Sequence, residues 1–214
     1  MTEQPEWRRA LNDSSHPMHS CAWYLFSPRF DAMKVTERFA DRRAEVVPFL
    51  MTIIRDVDEL YHEGSLGGGD APINAVTLLG EWQIAEAAPL LLNLLEDRLM
   101  GVLADSAAYA LEQMPPETID TILEFGQNEA HAMDAMFILS KVGKGDERSF
   151  EFICKVFERR TKQLDIITVA ECLAINNVTK AEAFLQEKAR HKRFRRYQED
   201  FRKIIDEVKA GLWG

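Results

Sequence analysis

Apolar residues along this chain recur every three or four positions for most of its length, which predicts amphipathic helices packed on neighbours. The stretch from Ala87 to Leu95 is apolar almost all the way round, as expected of a helix held between others. No stretch alternates with period two between hairpin turns, so essentially no sheet is expected. Helix ends are readable locally. Asp70 with Pro72 opens a helix running to Trp82, Pro115 and Pro116 mark a turn after Met114, and Gly143 and Gly145 close a helix that starts near Glu129. Thr179 with Glu182 reads as a capping box. Phe194, Tyr197, Phe201, Ile204, Ile205 and Val208 share a helical face opposite Arg195, Arg196, Arg202 and Lys203, the pattern of an amphipathic capping helix.

The chain also repeats itself. Residues 44–56 (AEVVPFLMTIIRD) and 85–97 (AEAAPLLLNLLED) align without a gap at an offset of 41 residues, with five of thirteen positions identical and six more exchanging one apolar residue for another. That offset lies in the range of about 40 to 47 of two-helix repeats. Later units are more divergent. Leu79 after Ala75 is echoed by Leu111 after Ala107, Leu139 after Ala135 and Ala174 after Ala170, in steps of 32, 28 and 35 residues. Small residues at these places let two helices approach closely.

The pattern Ala-Glu-x-x-Pro-x-Leu-x-x-Leu-Leu-x-Asp, preceded in its second copy by Asn74-Ala-Val-Thr-Leu-Leu-Gly80, resembles the short HEAT-like repeats first described in phycobilisome lyases, and is similar to bacterial HEAT-like proteins of unknown activity. The resemblance is good over residues 44–97 and is carried by spacing alone from 102 to 190. It implies an all-α solenoid of about four to five helix pairs, with a C-terminal capping helix, and it implies a fold rather than an activity. The expected organisation is an irregular N-terminal segment over 1–30, the repeat array over 31–190 and the cap over 191–214. The glycine-rich stretch 61–70 is expected to be a flexible connection.

Composition narrows the function classes. A chain of 214 residues, 46% hydrophobic and 29% charged, can bury a sizeable core. It has no apolar run of the roughly 18 residues a bilayer span needs, and no signal peptide is read at its start. Three widely spaced cysteines, Cys21, Cys154 and Cys172, suit buried thiols in a reducing compartment, so the expectation is a soluble, cytoplasmic protein. The net charge of −9 argues against general affinity for nucleic acid. Residues 180–203 nevertheless hold nine Lys and Arg against four acids, leaving the remainder at −14.

Candidate chemistry is sparse. His16, His19 and Cys21 lack a fourth zinc ligand, Glu59-x-x-His62 lacks the second copy a di-iron bundle needs, and the loop Gly64–Gly69 lacks the Gly-Lys-Ser/Thr ending of a phosphate loop. No catalytic residue, metal or cofactor is assigned. The leading expectation is a non-catalytic scaffold that binds a protein or peptide on a concave acidic face built by the second helix of each pair, through Glu86, Glu96, Asp120, Glu124, Glu151 and Glu158, with Asp97, Glu117 and Glu147 nearby. The alternative is nucleic-acid binding by Lys188, Arg190, Lys192, Arg193, Arg195 and Arg196, interleaved with Phe194 and Tyr197. A lyase or chaperone-like activity, by analogy to the bilin lyases, ranks third, since no residue here matches a catalytic role. A second copy of the chain is a further candidate partner.

Overall fold

The computed structural model describes residues 4–62, 64–96 and 101–212, and all regular structure among them is helical. The α-helices are α1 (Glu6–Asn12), α2 (His19–Leu25), α3 (Ala32–Phe39), α4 (Arg43–Arg55), α5 (Val57–Leu60), α6 (Asp70–Glu81), α7 (Ala88–Glu96), α8 (Val102–Glu112), α9 (Ile119–Phe125), α10 (Ala132–Val142), α11 (Glu147–Arg159), α12 (Gln163–Asn176), α13 (Val178–Ala189) and α14 (Gln198–Lys209). Short 3₁₀ turns lead directly into α4, α6, α7, α9 and α14.

The repeated segments fold to matching burial. Glu45 and Glu86, Pro48 and Pro89, and Arg55 and Glu96 are exposed, while Val46 and Ala87, Leu50 and Leu91, and Ile53 and Leu94 are buried. The Ala and Leu steps behave alike. Ala75, Ala107, Ala135 and Ala170 are all inaccessible to solvent, as are Leu79, Leu111 and Leu139, with Ala174 all but so. These pairs lie on α6, α8, α10 and α12, alternating in the chain with α7, α9, α11 and α13.

Contacts divide the chain into two units, residues 1–115 and 116–214. The division falls at Pro115–Pro116, inside the stretch expected to be one array. In unit 1, α6 is buried on most sides and packs on α2, α3, α4 and α8. Its approach to α8 needs glycine, because a Cβ on Gly80 would come within 2.7 Å of the Ala110 Cβ and 2.8 Å of its Cα. In unit 2, α12 takes the corresponding place, packed on α10, α11, α13 and α14. Phe157 of α11 anchors that core, its ring centroid 5.5, 5.0 and 5.9 Å from those of Phe184, Phe194 and Phe201. Each such ring removed from water contributes roughly 1.5–3 kcal/mol.

Three local expectations change. Residues 6–12 and 19–25, placed in an irregular segment, form α1 and α2, and they dock through buried Trp7, whose indole N–H donates to Asp56 at 2.9 Å and whose ring stacks on Phe26. Trp23 on α2 stays 61% exposed. The glycine stretch forms a 3₁₀ turn over Leu66–Gly69, with Gly67 at φ 70°, where a Cβ would meet the Phe26 carbonyl at 2.9 Å. Glycine is required there by close packing rather than by looseness. Finally, Asn177, not Thr179, caps α13. Its extended backbone lets the side chain accept from the Lys180 N–H, and Thr179 is drawn into the first turn.

Candidate binding surfaces

The acidic candidates divide between the units. Glu86 lies in the 3₁₀ turn before α7 and Glu96 ends α7, both exposed in unit 1. Asp97 lies outside the described residues. Asp120 and Glu124 on α9, and Glu151 and Glu158 on α11, are exposed in unit 2.

In unit 2 several of these acids already have cations. Asp120 on α9 pairs with Arg148 on α11, Glu147 on α11 with Lys180 on α13, and Glu158 on α11 with Lys188 on α13 at 2.5 Å. Glu129 receives both Arg159 and Arg160, at 2.7 and 2.8 Å. The carboxylates of Asp120 and then Asp146 raise the Arg148 guanidinium above its ordinary value. Burial alone would push Asp146 up, but the Ser149 backbone N–H and hydroxyl, with Arg148, outweigh it and hold this N-cap carboxyl below its usual range. Exposed pairs of this kind add little to stability, so their main effect is on charge. Of the four candidates in unit 2, Glu124 and Glu151 are left the more available.

The basic segment is partly committed as well. Lys188 is held by Glu158 and lies over the Phe184 ring. Arg193 donates to the Glu158 and Arg160 carbonyls and lies over Phe194. Arg196 donates to the Tyr197 hydroxyl at 2.5 Å and lies over its ring, while Tyr197 and Phe194 themselves are buried. Arg190, Lys192 and Arg195 are exposed, as Arg193 and Arg196 also are despite these contacts. Arg190, Arg195 and Arg196 do converge, joined by Arg202, on a cleft of about 1020 Å³ between α13 and α14. The i, i+3, i+4, i+7 spacing of Glu182, Leu185, Gln186 and Ala189, all of which line it, was a sequence signal for this second face of α13.

The remaining candidates are engaged locally. His16 Nδ1 accepts from the Met18 N–H at 3.1 Å and His19 Nδ1 lies 2.8 Å from the Ala10 carbonyl, beside a fully buried Cys21. Among the described residues no group of three or more His, Cys, Asp or Glu side chains is placed to hold a metal ion, and no helix is long and apolar enough to cross a membrane. Burial pushes the Cys21 thiol up to about 12, and burial with neighbouring Glu158 does the same for half-buried Cys154, so both are poor nucleophiles. Sequence reasoning passed over Glu171 on α12, whose carboxyl is raised first by burial and then by Glu207 of α14. Helical spacing within α12 does not reveal a neighbour 36 residues away.

Comparison of the chain with protein-family models, with curated proteins and with solved structures returns no match.

Proposed function

We propose that this chain is a HEAT-like solenoid acting as a non-catalytic scaffold, which binds a basic or mixed-charge protein segment along the face formed by the second helices of its pairs. What carries the reading is the recurrence of inaccessible Ala and Leu at equivalent places on α6, α8, α10 and α12, with second helices between them that turn charge outward. Glu86 and Glu96 in unit 1, and Glu124 and Glu151 in unit 2, are the exposed acids offered for such contacts. Nucleic-acid binding is the weaker reading, because Lys188, Arg193 and Arg196, half of the six cations it would use, already serve unit 2 internally.

The test is fluorescence anisotropy of a labelled basic peptide and its charge-reversed counterpart, titrated with the purified chain. Saturable binding of the basic peptide is expected, weakening as salt rises and falling about tenfold, equivalent to roughly 1.4 kcal/mol, in the double variant Glu86→Lys with Glu96→Lys. Equal binding of both peptides, or indifference to the double variant, overturns the acidic-face reading.

A further inference from the structure

A pocket of about 270 Å³ opens in unit 1 over the crossing of α6 and α8. Helical spacing builds its walls: Thr77, Gly80 and Glu81 follow one face of α6, and Val102, Ser106, Tyr109 and Gln113 one face of α8. Its floor is the close approach of Gly80 to Ala110, where neither residue has a side chain long enough to fill the space above. Val102 and Tyr109 line it while staying 61% and 62% exposed. A ligand seated there would cover apolar surface that folding leaves in water.

The polar groups of the pocket are weighted towards acceptors. Glu81 and Asp105 are both exposed, and the described lining holds no Lys, Arg or His. The hydroxyls of Thr77 and Ser106 donate within their own helices, to the Ile73 carbonyl at 2.9 Å and the Val102 carbonyl at 2.8 Å, which leaves their oxygens to act as acceptors. Asp120, Glu147 and Glu158 of unit 2 are answered by cations, but among the described residues no cation pairs with Glu81 or Asp105. Gly80 stands against Ala110, and Asp105 lies five residues before Ala110, roughly 7.5 Å along the axis of α8. Glu81, next to Gly80, and Asp105 therefore lie toward different ends of the pocket, with Tyr109 between Asp105 and Ala110 along α8.

A fitting ligand supplies positive charge, several N–H donors, a flat face for the Tyr109 ring and an aliphatic stem for Val102. The arginine side chain has all four, whereas lysine offers a point charge without the plane. The volume falls below the roughly 300–1,000 Å³ of pockets that enclose whole small molecules, which suits a single side chain. We infer that the α6–α8 pocket receives one arginine side chain from a partner protein, its guanidinium over Tyr109 and shared between the Glu81 and Asp105 carboxylates. The pocket is built by first helices, so it is separate from the acidic face proposed above, and it adds a choice of residue that diffuse charge does not make.

The experiment follows backbone amides of the isotope-labelled full chain by NMR while a Gly-Ser peptide carrying one arginine is added, beside matched peptides with lysine or citrulline in its place. Saturable shifts in α6 and α8 around Glu81 and Tyr109 are expected with arginine. Binding should be at least about threefold weaker with lysine and lost with citrulline, which keeps the plane but not the charge. Glu81→Gln with Asp105→Asn should weaken the arginine peptide about tenfold, with the melting temperature unchanged because both side chains are exposed. Tyr109→Ala should weaken it about three- to tenfold and Tyr109→Phe should not. Glu86→Lys with Glu96→Lys should leave these shifts in place, which separates failure here from failure of the acidic face. Equal binding of the lysine or citrulline peptide, indifference to the paired carboxylate variant, or shifts confined to α7 would each overturn the proposal.

Discussion

Residues 1–115 hold 9 Lys and Arg against 18 Asp and Glu, while residues 116–214 hold 17 of each. The two units are joined internally by different chemistry to match. Unit 1 ties its segments mostly with uncharged donors: Trp82 Nε1 donates to Thr36 at 2.8 Å and Asn74 Nδ2 to the Leu25 carbonyl at 2.7 Å, beside the bond from Trp7 to Asp56, with Arg8 to Glu59 at 3.7 Å and Arg42 to the Pro17 carbonyl at 3.1 Å among its charged links. Unit 2 also uses a buried asparagine, Asn176, which donates to the Leu139 and Gly143 carbonyls, but it adds the ion pairs linking α9 to α11 and α11 to α13. A net-acidic unit gains little from further carboxylates and carries self-repulsion, so neutral hydrogen bonds are its better fastening. A balanced unit can zip helix to helix with charge, at the cost of sensitivity to salt.

The largest effect should come from the core of unit 2. Phe157→Ala removes the ring that three other aromatics meet and should lower stability by about 3–5 kcal/mol in urea unfolding, with amides of α11 to α14 losing exchange protection before those of α4 and α6. Protection lost evenly across both units would show that the division is not energetic.

The matching break in unit 1 is Gly80→Ala. A methyl 2.8 Å from the Ala110 Cα forces α6 and α8 apart. Overpacking of about 1–3 kcal/mol then exceeds the roughly 1 kcal/mol that alanine adds to helix propensity, leaving a net loss near 1 kcal/mol and selective deprotection of unit 1. A stabilised variant would mean the two helices separate freely.

Salt should sharpen the contrast more gently. Raising NaCl to about 1 M shortens the screening length to about 3 Å, which weakens the pairs of unit 2 while relieving repulsion in unit 1. Exchange protection in α4 and α6 is expected to rise relative to that in α11 and α13. The same shift in both units would assign the effect to general salting rather than to charge.

The smallest effect concerns Glu171. Its folded carboxyl is raised by burial and then by Glu207, so the ionised form opposes folding above that raised value. Glu171→Gln should therefore raise the melting temperature at neutral pH, and the gain should fade as pH falls from that raised value to the ordinary one. An increase of equal size in acid would point to packing instead.

Much of the helical layout was legible because its signals are local. Pro72, the pair Pro115–Pro116 and Gly143 punctuate the chain where helices begin or end, and the spacing of Ala75, Ala107, Ala135 and Ala170 picks out the four positions that become inaccessible. The misplaced cap shows the limit of local reading. Thr179 and Glu182 satisfy the capping pattern, but Asn177 ends α12 and begins α13 at once, and only the angle between two helices determines that. The N-terminal segment failed for a related reason. Seven-residue helices are marginal alone, and α1 and α2 persist because Trp7, Cys21 and Leu25 are buried against other helices.

The candidate surfaces were legible as charge but not as arrangement. By itself the sequence determined an all-helical chain, an internal repeat and a basic segment in an acidic whole, since periodicity and net charge depend on order and composition alone. Only the tertiary structure decided which of those charges are available. Arg148, Lys180 and Lys188 meet acids 28 to 33 positions away, Arg193 and Arg196 are turned onto backbone and aromatic partners, and Arg190 and Arg195 are left facing a cleft. Pairing between distant side chains depends on how helices pack, and no window along the chain contains both partners.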